Sequence, residues 1–188
     1  MKIYDIETLQ KYISNGKKVK YLYFWGDKKI GKSITKASLS QWYDSPFEHN
    51  GILYLTAEHF MMAQKAKLFG DKQTLKKILD STTPALAKKF GREVKGFREE
   101  VWEKKRFEIV VAGNMLKFQE PKLKAFLLNT SGRVLVEASP VDKIWGVGLA
   151  EDDKNIHNPF NWRGLNLLGF ALMRVREQIL QEEFEKLS

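Results

Sequence analysis

Two ionisable side chains stand seven residues apart in the run Thr56-Ala57-Glu58-His59-Phe60-Met61-Met62-Ala63-Gln64-Lys65. On a helix that spacing sets Glu58 and Lys65 on one face, about 10.5 Å apart along the axis, with room for a sugar between them. Glu58 falls in the first turn behind a Thr56 N-cap, where the helix dipole and open N–H groups favour an ionised carboxylate. Such a group suits a base, or an anion facing developing positive charge. Work as a general acid would require burial to raise its pKa. The same spacing also fits an acid that merely supports the helix start and a solvated lysine, and on spacing alone that plainer reading is favoured.

Two further runs carry candidate chemistry. In Val141-Asp142-Lys143-Ile144-Trp145-Gly146-Val147-Gly148, Asp142 offers a second carboxylate and Trp145 a stacking face. Loop glycines such as Gly146 let a ligand approach the backbone closely. A surface turn with a core tryptophan fits the same residues. In Trp162-Arg163-Gly164-Leu165-Asn166-Leu167-Leu168-Gly169, amides at the start of the last helix can hold a phosphate, and Asn166 can orient a hydroxyl. Those glycines match neither a dinucleotide fingerprint nor a P-loop. The five tryptophans, Trp25, Trp42, Trp102, Trp145 and Trp162, suit core packing, and some of them suit a sandwich around a base.

Composition removes several classes of chemistry. There is no cysteine, hence no disulfide, thiolate nucleophile or cysteine-held metal. Three histidines, His49, His59 and His157, lack a metal-binding helical spacing, so neither a metal nor another cofactor is expected. The net charge of +9 suits a phosphate-bearing partner, nucleotide or nucleic acid, and equally suits solubility alone. No apolar run approaches the roughly 20 residues of a membrane helix, and the acidic opening run lacks a signal-peptide segment, so no membrane partner and a cytoplasmic location are expected.

The elements that must position these residues follow from caps and periodicity. A length of 188 residues suits one domain. Residues 5–13 read as a short helix closed by Gly16, and residues 19–25 as an aromatic strand followed by a turn or hairpin. A second aromatic segment, residues 39–43, ends at Ser45-Pro46, and residues 52–55 read as a short strand. Helices are expected at 57–69, at 71–79, and from Thr83-Pro84 to a stop at Gly91. A long amphipathic helix spans 97–118, with Trp102, Phe107, Val110 and Leu116 on its apolar side, and the pattern restarts at 122–128. Residues 134–138 read as a strand and 142–162 as loop. The last helix covers about 165–184, with Leu168, Leu172, Val175 and Ile179 on one face. The sum is a mostly helical α+β domain with a few short strands.

Taken in order, these motifs resemble the NADAR (NAD- and ADP-ribose-associated) superfamily, in particular its YbiA-like branch. The resemblance rests on Phe24-Trp25, Leu39-Ser40-Gln41-Trp42-Tyr43 with Pro46-Phe47, Tyr54, Thr56-Ala57-Glu58-His59-Phe60 and Ala63-Gln64-Lys65. It continues through Gly91-Arg92, Trp102, Arg106, Leu135-Val136-Glu137-Ala138-Ser139, Asp142, Trp145-Gly146 and Gly164-Leu165-Asn166-Leu167-Leu168-Gly169. It covers residues 19–188, leaving 1–18 as an N-terminal extension. Gln41-Trp42 stands where the family often has Asn-Phe. Val147-Gly148-Leu149-Ala150 and an acidic insert replace the glycine-rich segment after the Trp-Gly pair. These departures bear on substrate identity rather than fold.

The resemblance implies an N-glycosidase that hydrolyses the C1–N bond of a phosphorylated riboside. YbiA-like members act on ribosylaminopyrimidine intermediates of riboflavin synthesis; others remove ADP-ribose from modified guanine, which makes ADP-ribosylated nucleic acid a further possible partner. By the general logic of glycoside hydrolysis, Glu58 is the expected carboxylate that stabilises charge at C1 or directs water, with Asp142 as a second acid/base or hydroxyl-orienting group. Lys65 would bind phosphate, polarise the ring oxygen, or attack C1 as a neutral amine to form a Schiff base. Trp25, Trp102 and Trp145 would wall the pocket beside Gly146, Arg92 would serve phosphate, and Asn166 would fix a ribose hydroxyl. Two readings compete: a non-catalytic ADP-ribose or nucleotide sensor, and a nucleic-acid-binding module.

Overall fold

The structure, a computed structural model, describes residues 3–29, 31 and 33–187. In chain order the elements are α1 (Ile6–Ser14), β1 (Lys20–Phe24), a 3-10 turn (Lys36–Leu39), β2 (Phe47–His49), β3 (Ile52–Tyr54), α2 (Ala57–Leu68) and α3 (Lys72–Leu79). There follow α4 (Pro84–Arg92), α5 (Glu99–Lys117), α6 (Pro121–Leu128), β4 (Arg133–Glu137), a second 3-10 turn (Pro159–Asn161) and α7 (Leu167–Leu187). Helices dominate and the strands are short, as the α+β expectation has it. No helix among the described residues is long and apolar enough to cross a membrane. The chain packs as two compact units, one of residues 1–40 with 121–188 and one of residues 41–120.

In the unit of residues 41–120, α2 packs against α3, α4 and α5. Each of the first three helices starts at a cap the sequence marks. The side chains of Thr56, Asp71 and Thr83 accept the N–H groups of His59, Thr74 and Leu86. The helices approach closely where side chains are missing. A Cβ at Gly113 on α5 would lie 2.7 Å from the Phe60 ring, and one at Gly91 would lie 2.0 Å from Met62 Sδ. Gly91 therefore sits inside α4 as a contact with α2, and the helix runs on to Arg92 rather than stopping there. β2 and β3 form an antiparallel hairpin through Asn50 (φ 52°) and Gly51 (φ 72°), the positive-φ pair of a tight hairpin turn. Its aromatic residues Phe47 and Tyr54 pack on Phe60 at ring-centroid distances of 6.0 and 5.1 Å.

In the other unit, β1 pairs in parallel with β4, Leu22 opposite Leu135. Of the turn or hairpin expected just after β1, the hairpin is not formed, because a parallel partner must be reached by a long crossover, while Gly31 stands in a turn. The expected turn also includes residues 30 and 32, which lie outside the described residues. α7 covers β4 with Leu168, Leu172, Val175 and Ile179, all buried. The N-terminal extension is part of this unit: Leu9 of α1 is buried, and Gln10 Nε2 donates to the Pro159 carbonyl at 3.1 Å.

Two predictions follow from packing. Gly169 of α7 meets β4 so closely that a Cβ there would lie 2.1 Å from the Leu135 carbonyl oxygen. Gly169→Ala should destabilise by roughly 3 kcal/mol or more, as an overpacked backbone contact does, read as a lowered denaturation midpoint. Lys117, at the end of α5, is fully buried with its Nζ 5.2 Å from the Phe118 ring centroid. Burial pushes its pKa down to about 7 from the ordinary 10.5. Between those values the unfolded chain holds the proton and the folded chain does not, so stability rises with pH across that window, by at most about 1.4 kcal/mol per unit. Lys117→Met should flatten that slope in a pH series of chemical denaturation.

Candidate active site

The first turn of α2 is fixed by hydrogen bonds on every side. Thr56 Oγ1 and His59 Nδ1 lie 2.8 Å apart, and His59 Nε2 lies 3.1 Å from the Ser81 carbonyl oxygen. A carbonyl only accepts, so Nε2 carries the proton and Nδ1 accepts from the Thr56 hydroxyl. Burial lowers the His59 pKa, partly offset by the Ser81 bond, which keeps the ring neutral and structural. Next to it the Glu58 N–H donates to the Gln41 carbonyl at 3.0 Å. Gln41 Oε1 in turn accepts from Asn114 Nδ2 of α5 at 2.8 Å, and that amide also donates to the Val110 carbonyl. Gln41 is thus a brace between the start of α2 and α5. Glu58 itself is only 3 % exposed.

Two turns further along α2, Lys65 enters an aromatic enclosure. Its Nζ lies 4.1 Å from the Phe97 ring centroid and 5.5 Å from that of Trp102. Phe97 leans edge-on against Phe69 at 5.3 Å. Burial lowers the Lys65 pKa, and this is the largest influence on it. After it, in decreasing order, Glu99 raises the value, Arg92 lowers it further and Glu58 raises it. Of the residues singled out in the sequence, the structure sets Trp102 against Lys65, and Glu58 and Arg92 act on that lysine as charges. It adds Phe97 and Glu99, which sequence reasoning missed. Phe97-Arg98-Glu99-Glu100 reads as an ordinary acidic helix start, and nothing in its pattern marks a ring that covers a lysine.

The second and third sequence runs meet within the other unit. Asp142 Oδ1 accepts the N–H groups of Ile144 at 2.9 Å and Trp145 at 2.8 Å, closing a side-chain turn. The N–H groups of Leu165, Asn166, Leu167 and Leu168 donate to the carbonyls of Lys143, Gly146, Ile144 and Trp145. The amides at the start of α7 are thus taken by protein, which corrects the expectation that they await a phosphate. Asn166 is completely buried, its Oδ1 accepting from Glu137 N and its Nδ2 donating to the Leu135 carbonyl, both at 2.9 Å. It pins β4 to the start of α7 and presents no surface to a sugar hydroxyl. Gly146 is small for a packing reason as well: a Cβ there would lie 2.9 Å from the Glu137 carbonyl and 3.0 Å from that of Asp142. Trp145 is half-buried and Trp25 is 57 % exposed.

The model of the NADAR domain matches residues 23–180, most of the chain and parts of both units. The chain belongs to the NADAR family. Among relatives of this NADAR protein, N-glycosidase R617 of Acanthamoeba polyphaga mimivirus is 44 % identical over 85 % of the chain and 96 % of the relative. N-glycosidase YbiA of Shigella boydii is 31 % identical over 73 % of the chain and 78 % of the relative. The solved NMR structure of Escherichia coli YbiA superposes with a TM-score of 0.70 at 27 % identity, covering 88 % of each chain. The enzyme class that goes with this membership is N-glycosyl hydrolase.

In this NADAR protein Asp142 can be divided into a turn-closing oxygen and a charge. Asp142→Asn keeps an oxygen for the two N–H groups and should melt close to wild type. Asp142→Ala orphans them and should cost roughly 1–2 kcal/mol. Turnover of the Asn variant then reports on the carboxylate charge alone.

Proposed function

We propose that the protein hydrolyses the C1–N bond of a phosphorylated riboside, with Lys65 as the reacting amine and Glu58 as its proton carrier. The observation that carries this reading is the enclosure of Lys65 by Phe97 and Trp102 on the same helix as a buried Glu58. A lysine desolvated in this way releases its proton more readily than an exposed one, and the free amine is the nucleophile.

In the proposed reaction the Lys65 lone pair bonds to C1 while the C1–N bond breaks. The bonding pair leaves with the base nitrogen, which takes up the proton that Lys65 loses, Glu58 carrying it. Opening of the sugar ring gives an imine between Nζ and C1, the ring oxygen ending as a hydroxyl. Water then adds at C1, and the C1–Nζ bond breaks to release the sugar phosphate and restore the amine. In a variant without a covalent intermediate, Glu58 instead faces the oxocarbenium-like C1 and directs water. Arg92, exposed at the end of α4, is suited to the phosphate.

The first substrate class to test is the ribosylaminopyrimidine phosphates of riboflavin synthesis. Support comes from a maize relative called riboflavin biosynthesis protein PYRR, 35 % identical over 66 % of the chain and 20 % of that protein. ADP-ribosylated guanosine is the comparison substrate. The net charge of +9 suits either anion.

Release of free base and sugar phosphate is the expected outcome, and Glu58→Gln should lower turnover roughly 10²–10⁴-fold with binding largely kept. Borohydride added during turnover should trap a covalent sugar adduct that Lys65→Ala abolishes. An active enzyme that traps nothing would favour the direct-water route. Tight binding with no released base would make the protein a sensor instead.

A further inference from the structure

The Glu58 N–H belongs to the first turn of α2 and has no acceptor inside its own helix. The N-cap Thr56 takes the His59 N–H instead. Glu58 is therefore held from outside, its N–H donating to the Gln41 carbonyl at 3.0 Å. The Gln41 side chain carries that hold onward. Its Oε1 accepts from Asn114 Nδ2 at 2.8 Å, and the same amide nitrogen donates to the Val110 carbonyl at 2.8 Å. Glu58, Gln41 and Asn114 are all buried, Asn114 completely. Both hydrogens of the Asn114 amide are thus used, while among the described residues no donor meets its Oδ1. An orphaned acceptor in such a place costs stability that an apolar side chain of similar size would not. For packing alone Asn114 is a worse choice than leucine. What it adds is a directed bond to Gln41.

We propose that Asn114 is a positioning residue that fixes, through Gln41, the first turn of α2 along α5 and so the place of Glu58 in the candidate site. The two helices meet in opposite directions. Asn114 of α5 lies at the Gln41–Glu58 end, Gly113 lies against Phe60, and Trp102 lies against Lys65. An apolar contact such as Phe60 on Gly113 has no preferred direction and tolerates a small slide. A buried hydrogen bond does not, and one polar residue in an apolar seam sets register at a cost in stability. By this arrangement α5 meets the Glu58 end of α2 through Gln41 and the Lys65 end through the Trp102 ring. The effect on turnover rests on the role proposed for Glu58. The anchoring of its N–H does not.

The test compares Asn114→Leu, Gln41→Met and the double variant. Either single change leaves a buried polar group without its partner and should lower the denaturation midpoint. The double variant removes both groups and should recover most of that loss. Turnover should not recover with it: kcat should stay roughly tenfold or more below wild type, with KM within about twofold. Exchange of the Glu58 amide hydrogen, followed by NMR, should be roughly tenfold faster in the double variant, and with stability recovered that reports local opening. Turnover restored together with stability, or Glu58 exchange at the wild-type rate, would overturn the assignment. Added to Glu58→Gln, the double change should lower kcat no further. An additive loss would mean that Asn114 acts by another route and would equally refute it. If Glu58→Gln turns over near normally while Glu58 exchange in the double variant quickens, the anchoring by Asn114 holds and the role of Glu58 is what fails.

Discussion

The enclosure of α2 is the constraint on which the rest of the candidate site depends. Every residue from 57 to 63 is buried, including Glu58 and His59. Polar groups in such a place must find partners in the protein, because an unsatisfied one costs several times the net value of a single hydrogen bond. This explains the density of bonds around the first turn: Thr56 to His59, His59 to Ser81, Glu58 N–H to Gln41, and Gln41 to Asn114. The enclosure loosens toward the other end of the helix. There Lys65 is only half-buried, and its amine lies against the Phe97 and Trp102 rings. One helix thus presents a buried carboxylate and a half-buried amine, seven residues apart.

Much of this was legible in the chain itself, for identifiable reasons. The caps at Thr56 and Asp71 and the Thr83-Pro84 start act locally, and local signals survive folding unchanged. The Glu58–Lys65 spacing is a property of one helix, so it carried over as well. The Asn50-Gly51 turn was equally readable, since that pair is the strongest short hairpin signal, yet only its second strand was recognised. The pairing of β1 with β4 was not readable, because nothing near Lys20–Phe24 specifies a partner more than a hundred residues away.

The glycines teach a sharper lesson about inference from motifs. Gly146, Gly164 and Gly169 stand in runs that invite a ligand-binding interpretation, and each is instead pressed against protein backbone or the Asn166 amide. Gly164 would set a Cβ 2.3 Å from the Gly146 carbonyl. The residues form a clasp in which the loop at 142–146 and the start of α7 exchange hydrogen bonds, with Asn166 as the pin. A glycine needed for close approach looks the same in sequence whether the approaching backbone belongs to a ligand or to the protein. Phe97 and Glu99 show the converse: their contribution comes from where α5 begins relative to α2, which no local pattern encodes.

The order of units along the chain has a consequence for how the molecule is made. Residues 41–120 form an uninterrupted stretch, inserted between the two halves of the other unit. Its helices follow one another with short connections, so its contacts close small loops at little entropic cost. The surrounding unit cannot join β1 to β4 until the chain has been synthesised past Glu137. A nascent chain leaving the ribosome therefore carries Glu58 and Lys65 within a segment able to mature early, while the β1 edge waits unpaired for its late partner.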